Sequence, residues 1–205
     1  MKKGEKRKQE LLKIAYGLFL SRGYEDTSVD EIIETAQIAK GTYYYYFSSK
    51  EQMLEEVIGM MIESETEAAK QILGSDIPVQ QKIVGIITSI KPVETEQPIR
   101  DALLRPENVL MHDKIRKKLI GVLVPLLSEA VEKGADEGLF SCDNIPERVR
   151  MLLIISNDLF NEHAFSARDI SVFIDITEKL LGAEKGTMSF IYDLIDKRDM
   201  EVSHE

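Results

Sequence analysis

The chain is poor in the residues that staple, break or anchor a protein. It has one cysteine, Cys142, in 205 residues, so an internal disulfide framework is excluded and a reducing compartment is expected. Its 12 glycines and six prolines are too few for a collagen-like or low-complexity chain. The longest uncharged stretch of the central region, 119–128, falls far short of the roughly 20 apolar residues that cross a bilayer. The first ten residues are rich in lysine and enter no apolar segment, so no signal peptide is read and a cytoplasmic location is expected. Positive charge is scarce too: 26 Lys and Arg stand against 36 Asp and Glu, a net charge of −10. What is present is 43% hydrophobic and 30% charged, an ordinary globular composition with length for one or two domains and a real core.

The positive charge that exists is unevenly placed. Residues 1–50 hold nine Lys and Arg and seven Asp and Glu, a balance of +2, which leaves −12 for the remainder. Five of those nine, Lys2, Lys3, Lys6, Arg7 and Lys8, fall in the first eight positions. A locally basic end can meet a polyanion even on an acidic chain, because the field at a surface follows local charge. A solvated tail is the alternative reading of such a run.

Periodicity predicts helices almost throughout and no strand pairs, an all-α fold. Leu11, Ile14, Ala15, Leu18 and Phe19 give one apolar face over 5–22, with Gly23 placed to cap it. Ser28 and Glu31 have capping-box spacing ahead of Ile32, Ile33 and Ala36. A short helix over 40–47 follows, then a cap at 48–51 and a helix from Met53 to about Leu73, stopped by Gly74. Beyond it the spacing predicts helices over about 78–90, 113–137, 147–165, 170–181 and 188–196, with a short piece between Pro98 and Pro106. Pro125 lies inside the 113–137 pattern, where a kink is expected.

Residues 27–51 are the informative stretch. Two short helices joined by a tight turn, with a third ahead of them, form the plan of a helix-turn-helix DNA reader. Four tyrosines, Tyr43 to Tyr46, precede Phe47. Successive side chains on a helix point about 100° apart, so so short a helix cannot bury five adjacent rings. The spacing turns Tyr43 and Phe47 to the core and Tyr44, Tyr45 and Tyr46 outward, beside Lys40, Thr42 and Lys50. Phenol hydroxyls donate to phosphate oxygens, and rings pack on thymine methyls and sugars. A purely structural aromatic cluster is the alternative.

The order and spacing of Ala15, Phe19, Gly23, Tyr24, Thr27 to Ile32, Ala36, Lys40 to Phe47 and Ser49 to Glu51 resemble the DNA-binding domain of the TetR (tetracycline-repressor-like) family of transcription regulators. The resemblance covers residues 10–56, and a Gly134, Gly138, Phe140 turn is also similar to many members. It implies a DNA-binding domain over 1–51 and a helical effector-binding and dimerisation domain over 52–205. It implies a homodimer on a palindromic double-stranded DNA operator, most simply a repressor released by a small-molecule effector. Thr27, Lys40, Thr42, Tyr44, Tyr45, Tyr46 and Lys50 would touch DNA, and Gly41 would let the helix start approach it closely. Two departures stand out. Gln37 occupies a position where members commonly have Gly, and a left-handed turn there would cost Gln about 1 kcal/mol. Ala39 stands where many have Ser, losing a cap. The effector site would lie among the middle helices, with Met53, Met60, Met61 and Met111 as adaptable walls and Phe160 with them, although methionines at helical spacing also serve as core filler. Dimer contacts would come from Met151, Leu152, Ile155, Leu159, Phe173, Ile174, Ile176 and Leu180 on two late helices.

Catalysis and metal binding find little support. Asp158 and Glu162 beside His163 could be imagined as a metal site, but that spacing is commonly a solvated helix face. No Gly-rich phosphate loop, zinc-protease motif or nucleophile elbow is present, and Cys142 has no cation beside it in sequence to activate it. No metal, cofactor or enzymatic activity is expected. The rival of another class is a helical interaction module that keeps a helix-turn-helix shape without reading DNA.

Overall fold

The structure is a computed structural model, and it describes residues 3–90, 96–159 and 165–194. These are all-α: α1 (Lys3–Arg22), α2 (Val29–Thr35), α3 (Lys40–Tyr46), α4 (Lys50–Gly74), α5 (Val79–Ser89), α6 (Gln97–Leu103), a 3₁₀ turn (Pro106–Asn108), α7 (Val109–Asp136), α8 (Ile145–Asn157), α9 (Ala167–Leu181) and α10 (Ile191–Leu194). No strand occurs among the described residues, and none of their helices is long and apolar enough to cross a membrane. The chain forms two compact units, residues 1–65 with 91–118 and residues 66–90 with 119–205. The first takes in more chain than the 1–51 segment read as the DNA-binding domain.

In the first unit, the apolar face of α1 buries Leu11, Ala15 and Phe19 together with Ile32, Tyr43, Phe47, Met53 and Leu54, each at most 1% exposed. Burying side chains of this size contributes about 1.5–3 kcal/mol apiece, enough to hold helices α2 and α3, which are too short to persist alone. Gly23 closes α1 with φ +91°, its amide donating to the Phe19 carbonyl at 3.0 Å. Ser28 caps α2, its hydroxyl accepting from the Glu31 amide at 3.1 Å. The reciprocal half of the expected box is replaced by an ion pair, because the Glu31 carboxylate meets Arg22.

An acidic patch sits beneath α1 in the same unit. The Tyr16 hydroxyl donates to Glu96 Oε1 at 2.9 Å, and Glu96 is 8% exposed. Burial, and next the Glu96 charge, push the Glu65 carboxyl up to about 7. A carboxyl whose folded pKa lies above its unfolded value holds extra protons in the folded state, so stability falls as pH rises between the two. The thermal midpoint is therefore expected to drop between about pH 4.5 and pH 7, and Glu65→Gln should flatten that slope in a pH series of melting curves.

In the second unit the core centres on Ile86, Ala130, Ile170 and Leu181. α7 continues through Pro125 from Val109 to Asp136. Its end explains the Gly134, Gly138, Phe140 spacing. Gly138 takes φ +77°, the Leu139 amide reaches the Gly134 carbonyl at 2.8 Å and the Gly138 amide the Ala135 carbonyl at 3.0 Å, a Schellman closure. The Phe140 ring then folds back so closely that a Cβ on Gly134 would lie 2.5 Å from it. α9 opens on a complete capping box between Ser166 and Asp169 and closes on Gly182 at φ +62°. Buried Glu178 accepts amides from Gly186 at 2.7 Å and Met188 at 3.0 Å, organising the turns before α10. Those turns run over 185–190, so the last helix starts later than its spacing predicts.

Candidate nucleic-acid interface

Helix α3 divides its rings as their spacing dictates. Tyr43 and Phe47 are 0% and 1% exposed, whereas Tyr44 and Tyr45 are 50% and 80% exposed. Tyr46 is partly buried. The Tyr43 hydroxyl donates to the Ser49 carbonyl at 3.3 Å, and burial pushes it up to about 12. The outer rings brace one another: Tyr45 and Tyr46 stack edge to face with centroids 4.9 Å apart, as do Tyr43 and Tyr44 at 5.2 Å. The result is a stiff aromatic ridge on a helix anchored by its opposite face.

Around the ridge the small residues leave room. Gly41 is exposed, and a Cβ built there meets nothing within 4 Å. The fold itself has no need of a glycine at this position. Thr42 is partly exposed beside it. Ala39 is the N-cap of α3 and contributes no side-chain hydrogen bond.

The cations of this face are already engaged. Lys40 Nζ pairs with Asp30 Oδ1 at 3.0 Å across two exposed side chains, and that hydrogen bond, then the Asp30 charge, raises the lysine pKa. Lys50 Nζ donates to the carbonyls of Tyr24 at 2.9 Å, Thr27 at 3.2 Å and Glu25 at 3.3 Å. It also lies 4.2 Å from the Tyr24 ring centroid. Lys50 thus ties the loop after α1 to the start of α4. Thr27 needs the plainest correction. Its side chain is 0% exposed, and its hydroxyl donates to the Gly23 carbonyl at 2.8 Å, so it closes α1 from within and offers no surface hydroxyl.

The turn between α2 and α3 places Gln37 at φ +51°, the left-handed conformation expected of it. The strain of a β-carbon there is about 1 kcal/mol or more, while glycine loses more freedom on folding. Gln37→Gly should therefore stabilise the protein by about 0.5 kcal/mol, measurable as a small rise in denaturation midpoint with unchanged slope.

The remaining expected residues scatter. Met60 lines a cleft of about 210 Å³ in the first unit, but its neighbours Glu55, Glu56, Glu63, Lys114 and Lys118 make that cleft charged rather than apolar. Met53 is fully buried and Met111 is 8% exposed, both as core; Met61 is partly buried, and Phe160 lies outside the described residues. On α8 and α9, Met151 and Ile155 are 55% and 38% exposed, but Leu152 and Phe173 are buried in their own unit. Those two serve the protomer's core, as does Ile174. Leu159, Ile176 and Leu180 are partly buried, and the exposed apolar face also includes Ile154 and Val172, which the spacing did not single out. Among the described residues no three metal-ligating side chains converge; Glu162 and His163 lie outside them. Burial, above all, pushes the Cys142 thiol up.

Residues 11–57 match the family model described as bacterial regulatory proteins, tetR family. The reading helix and its supports therefore lie in a segment similar to that family. Over 89 residues the chain is 35% identical to the HTH-type transcriptional repressor KstR2 of Mycolicibacterium smegmatis, covering 43% of each protein. The KstR2 of Rhodococcus jostii is 31% identical over 83 residues, covering 40% of this chain and 41% of that one. The matched region thus spans less than half the length of these curated relatives. The chain also shares a fold with solved structures. RolR in complex with resorcinol aligns at a TM-score of 0.59 and 19% identity, over 95% of each chain. A transcriptional regulator from Cytophaga hutchinsonii aligns at 0.54 and 17%, over 85% of this chain and 94% of that one.

Proposed function

We propose that this protein is a sequence-specific DNA-binding transcriptional regulator, a repressor that binds a palindromic operator as a homodimer and is released by a small molecule. The observation that carries this is the two-sided α3. Its inner face is locked into the core through Tyr43 and Phe47, while Tyr44 and Tyr45 stand exposed beside an open Gly41. Exposed rings held rigidly on a short helix suit the major groove, where phenols meet phosphates and ring edges meet thymine methyls. Lys40, Thr42 and Tyr46 complete the reading surface. Thr27 and Lys50 support it from within.

Dimerisation is supported by the apolar face of α8 and α9, where Met151, Ile154, Ile155 and Val172 stand exposed on a helix pair. A two-fold pair of readers would see two half-sites. The repressor sign follows the printed names of the KstR2 relatives. A small-molecule effector is suggested by RolR, which shares the fold and was solved with resorcinol. An effector acts here by favouring a dimer whose readers no longer fit successive grooves.

Selection of random duplex DNA on the purified protein, followed by sequencing, tests this reading. An enriched inverted repeat is expected. Weak, sequence-independent binding with a shallow salt dependence would overturn it in favour of an interaction module.

A further inference from the structure

Of the two acids in the first turn of α2, Glu31 turns back to Arg22, whereas Asp30 reaches forward to the reading helix. Asp30 Oδ1 accepts from the Nζ of Lys40, the first residue of α3, at 3.0 Å, and both side chains are exposed. Tyr44 follows Lys40 by one helical turn, so the ion pair borders the exposed aromatic ridge. The pair is not saturated. An ammonium has three protons and a carboxylate two accepting oxygens. One of each is used here, and Asp30 Oδ2 has no hydrogen bond among the described residues. An exposed pair of this kind contributes little to folding. Any acid in the first turn of α2 would serve the helix dipole, so the dipole does not account for the reach to Lys40.

A carboxylate on the face of a DNA reader is unfavourable unless it finds a donor. A backbone phosphate bound by Lys40 would stand close to the Asp30 carboxylate, like charge against like charge, whereas base edges carry no net charge. In the major groove guanine presents two adjacent acceptors, O6 and N7, and its cytosine presents one donor, the N4 amino group. O6 and N4 are hydrogen-bonded to each other, so they stand about 2.9 Å apart, close to the 3.0 Å between the ammonium and the carboxylate. The two protons left on Lys40 match O6 and N7, and the free oxygen of Asp30 matches N4. An A·T pair lacks this separation. Its one donor, adenine N6, lies between the acceptors N7 and O4, so a carboxylate placed on it still faces one acceptor when the lysine covers the other.

We propose that Asp30 and Lys40 act as one unit that reads a G·C base pair in each half-site, Lys40 donating to guanine O6 and N7 and Asp30 accepting from the cytosine amino group. Asp30 also holds the lysine toward the base edge and away from the phosphates. It is thus a determinant of sequence preference supplied by α2 rather than by the reading helix. The proposal rests on the DNA-regulator reading, and its test separates the two.

The test measures base preference at every position of the duplex that the full-length protein enriches. The wild-type protein should require G·C at one symmetric position of each half-site. Asp30→Ala should lower the discrimination there about tenfold, leave the other positions as they are and keep the thermal midpoint almost unchanged. Lys40→Met should lose the same preference, and Lys40→Arg should keep it. The Asp30→Ala, Lys40→Met double variant should lose no more discrimination than either single variant, because the two act together. An untouched G·C preference in Asp30→Ala would overturn the proposal, as would a loss spread evenly over all positions, which is what a merely structural role of Asp30 gives. So would an enriched repeat with no G·C-specific position. In each of these cases the enriched repeat leaves the regulator reading intact. No enriched repeat from the wild-type protein would remove both.

Discussion

Tyr45→Ala should weaken operator binding about tenfold or more while leaving the melting temperature almost unchanged. Tyr45 is 80% exposed, and exposed substitutions usually shift stability by no more than about 0.5 kcal/mol. Its edge contact with Tyr46, of a kind that contributes about 0.5–1.5 kcal/mol, is offset in part by the better helix propensity of alanine. A direct base or phosphate contact, by contrast, contributes about 1–3 kcal/mol of binding. Gly41→Ala sharpens the test, because it should move the two quantities in opposite directions. A Cβ there meets nothing in the protein, so alanine should raise helix stability by about 0.5–1 kcal/mol while obstructing the approach of DNA. Titration of a fluorescent duplex, set beside thermal melting of each variant, reads both. Binding unchanged in the two variants would mean that the ridge does not face DNA.

Gly182→Ala should damage the second unit severely, lowering stability by about 3 kcal/mol and the melting temperature by roughly 6–12 °C. The left-handed conformation at φ +62° by itself costs a β-carbon about 1–2 kcal/mol. The larger problem is steric: the added Cβ would fall 2.1 Å from the Ser141 carbonyl oxygen. That carbonyl cannot retreat cheaply, because the Ser141 amide is bonded to the Leu181 carbonyl at 3.0 Å. Gly17→Ala is the control, an exposed mid-helix glycine whose Cβ would meet nothing within 4 Å, and it should be neutral or slightly stabilising. Equal melting of the two variants would refute this account of the α9 terminus.

What could be read from the sequence was whatever one helix decides alone. The caps at Gly23 and Ser28, the left-handed Gln37 and the division of Tyr43 and Phe47 from Tyr44 and Tyr45 all follow from local spacing. Contacts that depend on a second segment folding over the first were hidden. Thr27 and Lys50 are polar residues near the reader, and nothing local to them shows that the loop after α1 closes over one hydroxyl and takes up one ammonium. Leu152 and Phe173 show the same limit on helices. An apolar stripe fixes a face only to within a residue or so, and neighbours about 100° apart, such as Phe173 and Val172, can be sent to the core and to the surface. The partners Asp30 and Glu31 were legible only as acidic residues near a helix start, since which cation each meets is a matter of tertiary geometry.

The seating of Lys50 bears on the chemical reactivity of the protein. An ammonium has three protons to donate, and here three carbonyls accept them while an aromatic ring covers the charge. Amine-directed reagents must reach the nitrogen from solvent, so Lys50, held against three carbonyls and a ring, should stay unmodified under acetylating conditions that label the exposed Lys6 and Lys13. A mass-spectrometric map of the labelled lysines would then report whether the loop over 24–27 is closed, and its opening on DNA would show as a new reactive amine.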